Sequence, residues 1–175
     1  MNHTDHVNLL RPGITDTGGV WADWGAGSGA FTLALADILA PSATIVAVDK
    51  DKGALRNLQK SVQSRFPAIR LETIVADFTR PLILPSLQGV IMANSLHFYQ
   101  NKQPILRQVQ DYLQFDGRFL LVEYDTDRGN RWVPHPLSFP TWQTLATDAG
   151  FRQTQLLATR PSSFLGQIYS AVSLK

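Results

Sequence analysis

Apolar positions along the chain change period several times, and each change marks an element. GVWADW (19–24) is a short apolar run broken by one carboxylate, Asp23, and reads as a strand. The glycine turn after it opens a helix over roughly 29–40, stopped by Pro41. TIVAVD (44–49) is apolar until its last residue, as a strand buried on both faces requires. Leu55, Leu58, Val62 and Phe66 recur three and four apart and predict a helix ending near Pro67. IRLETIVA (69–76) and GVIMAN (89–94) read as strands joined by the proline-bearing RPLILP.

A stripe of Ile105, Leu106, Val109, Tyr112 and Leu113 predicts the next helix, Asp116-Gly117 a turn, and RFLLVEY (118–124) a fifth strand. TDRGNRWVPHPL (126–137), polar with one Gly and two Pro, reads as a loop over a pocket. Ser138 caps a short helix carrying Trp142, Leu145, Ala146 and Ala149, closed by Gly150. FRQTQLLA (151–158) and LGQIYSAVS (165–173) then form two strands with a turn at TRPSS. Alternating strands and helices imply a doubly wound, mostly parallel α/β sheet. The closing hairpin forces one of the last two of its seven strands to run against the rest. One domain over 1–175 is expected: a leading segment 1–18, a first half 19–125, and a loop, helix and hairpin over 126–175.

Composition narrows the classes. With 44% hydrophobic and 17% charged residues the chain fills a core and is neither disordered nor fibrous. Lys+Arg 16 against Asp+Glu 14 leaves +2, too small an excess for a nucleic-acid track. Zero cysteines exclude disulfides, a thiolate nucleophile and Cys-containing zinc sites. His3 and His6 sit three apart without further ligands at matching spacing, so no metal is expected. No apolar run approaches a membrane span, and MNHTDHVNLLRPG lacks an export pattern, so a cytoplasmic location without membrane contact is expected.

The sharpest motif is Asp23-Trp24-Gly25-Ala26-Gly27-Ser28-Gly29-Ala30 between strand and helix. Glycines there let the backbone turn sharply and a ligand approach closely. In one register it is D-x-G-x-G-x-G; in another, Gly25, Gly27 and Ala30 satisfy the dinucleotide pattern, so the glycines alone leave the cofactor open. Asp49, about 20 residues on, can accept from both hydroxyls of a ribose in NAD or any adenosine cofactor. Three features favour one reading. Asp23 would repel a pyrophosphate but suits an ammonium or sulfonium group. Asp77-Phe78 places a carboxylate and an aromatic where an adenine could bind. The terminal hairpin is the third.

At this point the chain resembles the class I S-adenosylmethionine-dependent methyltransferases. VWADWGAGSGAF is similar to their first motif, IVAVDKD to the acidic ribose motif, IVADF to the adenine motif and GVIMANSLHFY to the strand-four motif. YLQFDGRFLLVEY resembles their fifth-strand region, with Phe115-Asp116-Gly117 where the family often has Pro-Gly-Gly. The resemblance spans about residues 18–175. It implies that Gly25, Ala26, Gly27 and Gly29 face the methionine part of S-adenosylmethionine, with Asp23 holding its amino group. It further implies Asp49 on the ribose, Lys50 beside the adenine, Asp77 on the adenine amino group, the Phe78 backbone at the ring, and the Asn94 main chain at the methionine end.

The methyl acceptor should lie near His97, Phe98 and Tyr99, and a small molecule is the expected acceptor. The absence of Asn-Pro-Pro-Tyr disfavours methylation of adenine in DNA. If the acceptor is a hydroxyl, His97 is the first candidate base, since imidazole titrates near neutral pH; a loop histidine bonded to backbone is the plain alternative. Glu123 and His135 are weaker candidates. His6 belongs to a leading segment that either folds back over the cofactor or frays. Trp24 and Trp132 are expected to line a pocket for a flat acceptor, whereas Trp142 belongs to a core stripe. Two other classes stay open. A non-catalytic partner module predicts cofactor binding without transfer. An NAD-dependent oxidoreductase would have to use Tyr99 or His97 as proton donor, without any Tyr-x-x-x-Lys pair.

Overall fold

The computed structural model describes residues 1–175. Seven strands form one sheet: β1 (Val20–Trp24), β2 (Thr44–Asp49), β3 (Arg70–Val75), β4 (Leu87–Ala93), β5 (Leu113–Tyr124), β6 (Arg152–Ser162) and β7 (Gly166–Leu174). Their order is β3-β2-β1-β4-β5-β7-β6, and β7 alone runs against the others, pairing antiparallel with both β5 and β6. Strand order reverses between β1 and β4, so the carboxyl ends of these two strands open a crevice, the usual ligand position of such sheets.

Five helices cover the sheet: α1 (His3–Leu10), α2 (Ala30–Ile38), α3 (Lys52–Arg65), α4 (Gln103–Tyr112) and α5 (Phe139–Asp148). The apolar stripe of α4, Ile105, Leu106 and Val109, is buried on one side of the sheet with Trp142 of α5. On the other side α1 and α2 pack against Leu120 and Val122 of β5. Central strands are nearly all apolar because both faces are covered.

One open alternative is decided and three local readings are corrected. The leading segment does not fray. Asn2 and Asp5 close a capping box around the start of α1, and Leu9 and Leu10 are fully buried, each worth about 1.5–3 kcal/mol. Arg160 of β6 also pairs with Asp5, fixing the first turn of α1 to the far edge of the sheet. Asp116-Gly117 does not precede the fifth strand but lies within it, as an irregularity where pairing steps from Leu87↔Leu113 to Gly89↔Arg118. The last turn falls at 163–165, not at TRPSS: β6 continues through Pro161, which is tolerated because β6 is the edge strand. Trp24 is fully buried between Phe78 and Tyr112 and belongs to the core.

Candidate active site

Two cavities meet at the carboxyl ends of β1 and β4, sharing Gly25, Gly27 and Asn94. The larger, about 340 Å³, is lined by Asp49, Lys50, Phe78, Ser95, Phe98 and Tyr99 besides the shared residues. The smaller, about 260 Å³, reaches Asp23, Ala26, His6 and Phe31. Together they make one bent groove across the switch point.

Its floor is glycine for steric reasons. Gly25 has φ +83°, and a Cβ there would stand 2.6 Å from the Ser95 Cβ. Ser95 itself is buried and donates to the Trp24 carbonyl at 2.9 Å, tying the end of β4 to β1. Gly29 has φ +89°, and a Cβ there would meet the Leu58 side chain at 2.2 Å. At both positions a side chain would be strained by the positive φ and would have to displace a neighbour.

Asp49 accepts from Gly27 N at 2.8 Å and from Asp51 N at 2.8 Å. Each carboxylate oxygen keeps a free lone pair, so the cavity wall presents two oriented hydrogen-bond acceptors. Lys50 reaches across to Asp77 at 3.0 Å. Partial burial would raise the Asp77 carboxyl, but bonds from Thr79 and Lys50 outweigh it and hold it down to about 2. Asp77 is thus an ionised anchor for Lys50, set behind the cavity wall rather than in it.

Asp23 is sealed in β1, its carboxyl accepting from the Thr32 hydroxyl at 2.5 Å. Burial pushes this carboxyl up to about 7; the Thr32 bond opposes the shift and the charge of Asp49 adds to it. The His6 ring meets Phe31 tilted, at 4.7 Å between ring centres, and its half-burial lowers its pKa where it enters the smaller cavity. His3, by contrast, turns away to Asp37 at 2.8 Å.

The acceptor side is built differently. Leu96–Phe98 forms a single 3-10 turn after β4, braced by Glu123 at the end of β5. Glu123 is fully buried; one oxygen accepts from Leu96 N and His97 N, both at 3.1 Å, and the other meets His97 Nδ1 at 2.7 Å. A buried carboxylate needs such compensation, and it fixes the ring with Nδ1 as the donor. His97 is itself buried, its side chain 3% exposed, and Nε2 makes no hydrogen bond within the protein beneath Phe98. Lys102 is buried as well, and donates to the carbonyls of Tyr99 (2.8 Å) and His135 (2.9 Å). His135 N returns a bond to the His97 carbonyl at 3.0 Å. Loop 126–137 is thereby fastened to the 3-10 turn.

The expected residues thus divide. Asp23, Gly25, Ala26, Gly27, Asp49, Lys50, Phe78, Asn94, His6 and Tyr99 line the groove. Gly29 packs beneath it, Asp77 stands behind it, and His97 lies under Phe98. Trp132 is misplaced by the sequence reading: it is 67% exposed, lies beneath the Arg131 guanidinium, and borders neither cavity, as does the whole of loop 126–137. Lys102 and Ser95 were not singled out, because neither carries a spacing signal; both act through partners 33 and 71 residues away.

A family model described as a methyltransferase domain matches residues 16–154. No curated protein matches the sequence. Among solved structures, the YcgJ protein of Bacillus subtilis superposes with TM-score 0.77 at 15% identity, covering 99% of both chains. A SAM-dependent methyltransferase from Aquifex aeolicus gives 0.76 at 15% identity, over 97% of this chain and 89% of that one. Human N-acetylserotonin methyltransferase, solved with SAM, gives 0.72 at 19% identity, over 98% of this chain but 51% of its own. At these identities the likeness is one of fold.

The groove also fits the cofactor on its own chemistry. A pre-oriented carboxylate faces the larger cavity, and a glycine floor admits close backbone approach. Asn94, with φ +51° and a buried side-chain oxygen that lacks a partner, stands where the two cavities join. The chain belongs to the methyltransferase-domain family, and its fold is shared by solved SAM-dependent methyltransferases.

Proposed function

We propose that the chain transfers the methyl group of S-adenosylmethionine to the hydroxyl of a small molecule, with His97 as general base. The observation that supports this is the His97–Glu123 contact of 2.7 Å, which leaves the other ring nitrogen unbonded beneath Phe98, a residue of the groove wall. On this reading Asp49 holds the ribose, Lys50 and Phe78 flank the adenine end, and Asp23 and the glycine turn hold the methionine end. Bound there, the cofactor supplies a sulfonium, an electrophilic methyl that needs no further activation. The chain's own residues then have two tasks. The groove sets the nucleophile in line at about 3–3.5 Å, which alone can supply much of the acceleration. His97 Nε2 takes the hydroxyl proton, and Glu123 stabilises the resulting imidazolium.

The test is methyl transfer from labelled S-adenosylmethionine to a panel of small hydroxyl compounds, with S-adenosylhomocysteine binding measured beside it. His97→Gln should keep S-adenosylhomocysteine affinity and lower turnover by roughly 10²–10⁴. Transfer at wild-type rate in His97→Gln sinks the assignment of the base. Tight cofactor binding without transfer to any acceptor would favour a partner module instead.

A further inference from the structure

Phe78 lines the larger cavity and is held from several sides. Its ring is buried, stacked at 6.1 Å on Trp24 and edge-on at 5.4 Å to Tyr99. Its carbonyl accepts from Gln108 Nε2 at 2.5 Å, which ties the turn to α4. One polar group of the residue has no such tie: the Phe78 N–H donates to no group of the chain. The next amide, Thr79 N, is bonded to Asp77 Oδ1 at 3.0 Å. The Phe78 amide is therefore a donor fixed in place without a partner of its own.

Lys50 is a second donor in the same wall. Asp77 Oδ2 faces its ammonium at 3.0 Å and raises its pKa, so the group is a cation. Asp77 takes one of three N–H bonds and leaves the others to a ligand.

Acceptors are scarce by contrast. Asp77 is turned into its own loop, Oδ1 accepting from Thr79 N and from the Thr79 hydroxyl at 2.7 Å. It lines neither cavity. Its carbonyl is taken by Arg80 N at 3.0 Å, and that of Phe78 by Gln108. Asp49 is the one carboxylate in the wall of the larger cavity, and the ribose claims it on the reading above. Adenine presents both kinds of group along its edge: N1 and N7 accept, and the 6-amino group between them donates. Two donors with no carboxylate beside them complement the ring nitrogens and leave the amino group to water.

We propose that Lys50 and the Phe78 amide determine the purine specificity of the groove, reading the acceptor nitrogens of the base while no carboxylate reads its amino group. The inference rests on the groove being the S-adenosylmethionine site and specifies what that site recognises. A purine with N1 and N7 intact but no amino group is then as good a ligand as adenine. A 6-oxo purine is a poorer one, because its N1 carries a proton and sets one N–H against that of Phe78. Its 6-oxygen accepts from Lys50, so the penalty is partial and depends on that side chain. A carboxylate accepting from the amino group would give the opposite pattern, since charge-assisted hydrogen bonds are the strong ones.

The experiment measures, by calorimetry on the full chain, affinity for S-adenosylhomocysteine and two analogues, with hydrogen or oxygen replacing the 6-amino group. The hydrogen analogue should bind within about threefold of S-adenosylhomocysteine, and the oxygen analogue at least about fivefold more weakly than either. Lys50→Met should weaken the first two by a common factor of roughly three to ten, and the oxygen analogue by more. Asp77→Asn should leave the ratio of the first two unchanged. A hydrogen analogue weaker than S-adenosylhomocysteine by about tenfold or more overturns the proposal, and loss of that difference in Asp77→Asn assigns the amino group to Asp77. An oxygen analogue that binds as well as the other two overturns the role of the Phe78 amide. Unchanged affinities in Lys50→Met, with the thermal midpoint confirming a folded chain, overturn that of Lys50. Each of these results leaves the cofactor site standing, whereas failure of S-adenosylhomocysteine to bind the wild-type chain removes the site and this inference together.

Discussion

Two carboxylates are buried near the groove, Asp23 in its wall and Glu123 beneath the turn that carries Phe98, and they are treated differently. Asp23, on the cofactor side, has a single hydroxyl donor, Thr32. Glu123, on the acceptor side, has three donors, two of them backbone amides. Asp23, with its carboxyl raised to about 7, is left poised to lose a proton when a cation arrives, whereas the hydrogen bonds of Glu123 hold a turn and a ring in place. The cofactor half is made mainly of main chain, with short-range turns and glycines. In the acceptor half, side chains reach across 26 to 33 residues.

The comparison is broken most severely by emptying the acceptor-side carboxylate. Glu123→Ala leaves two amides and the His97 ring without partners, and should destabilise the fold by about 3–5 kcal/mol, read as a lowered midpoint in denaturant. A loss below about 1 kcal/mol would show that water replaces Glu123 easily.

Asp49→Ala acts on the cofactor half. Two hydrogen bonds from ribose hydroxyls to a charged oxygen, at about 1.5–3 kcal/mol each, predict a loss of S-adenosylhomocysteine affinity of roughly 10²-fold or more by calorimetry. Its stability cost should be much smaller than that of Glu123→Ala, because Asp49 stands at the cavity wall.

Asp23 sharpens the contrast through pH. Its carboxyl is raised from 3.8 to about 7, so between those values the folded chain holds a proton that the unfolded chain has released. Stability from this residue is therefore highest at low pH and falls as pH rises through that window. A ligand ammonium favours the ionised form, so S-adenosylhomocysteine affinity should rise as pH goes from 6 to 7, by at most about tenfold per unit, and then level off. Asp23→Asn should flatten the curve; parallel curves for the two proteins would assign the dependence elsewhere.

The smallest effect is expected at Trp132, which lies on the loop but off the groove. Trp132→Ala should leave stability and S-adenosylhomocysteine affinity within about 0.5 kcal/mol of wild type. A larger loss of affinity would place loop 126–137 over the groove after all.

How much could be read in advance follows the same division. The glycine turn, Asp49 and Phe78, which line the groove, are local: neighbouring residues, or a strand end at fixed distance, mark them before the chain folds, whereas Asp77 beside Phe78 stands outside it. Their positions along the sheet were legible because strand–helix alternation leaves little topological choice. His97 was legible as a candidate but Glu123 was not legible as its partner, since a carboxylate at a strand end is ordinarily solvated. Only the pairing of β4 with β5 turns Glu123 inward beneath the turn. Trp24 and Trp132 were misread for a related reason: a tryptophan's burial depends on what packs over it, and neither spacing nor neighbours in sequence carry that.

Period, turn residues and the order of elements are properties of the chain itself, and they determined the sheet, its closing hairpin and a groove for an adenosine cofactor at the switch point. Which aromatic faces stay bare, which carboxylate is sealed, and which imidazole nitrogen is free were decided by the tertiary structure alone. Those properties depend on desolvation and on partners brought together from distant segments, and neither exists until the sheet has closed.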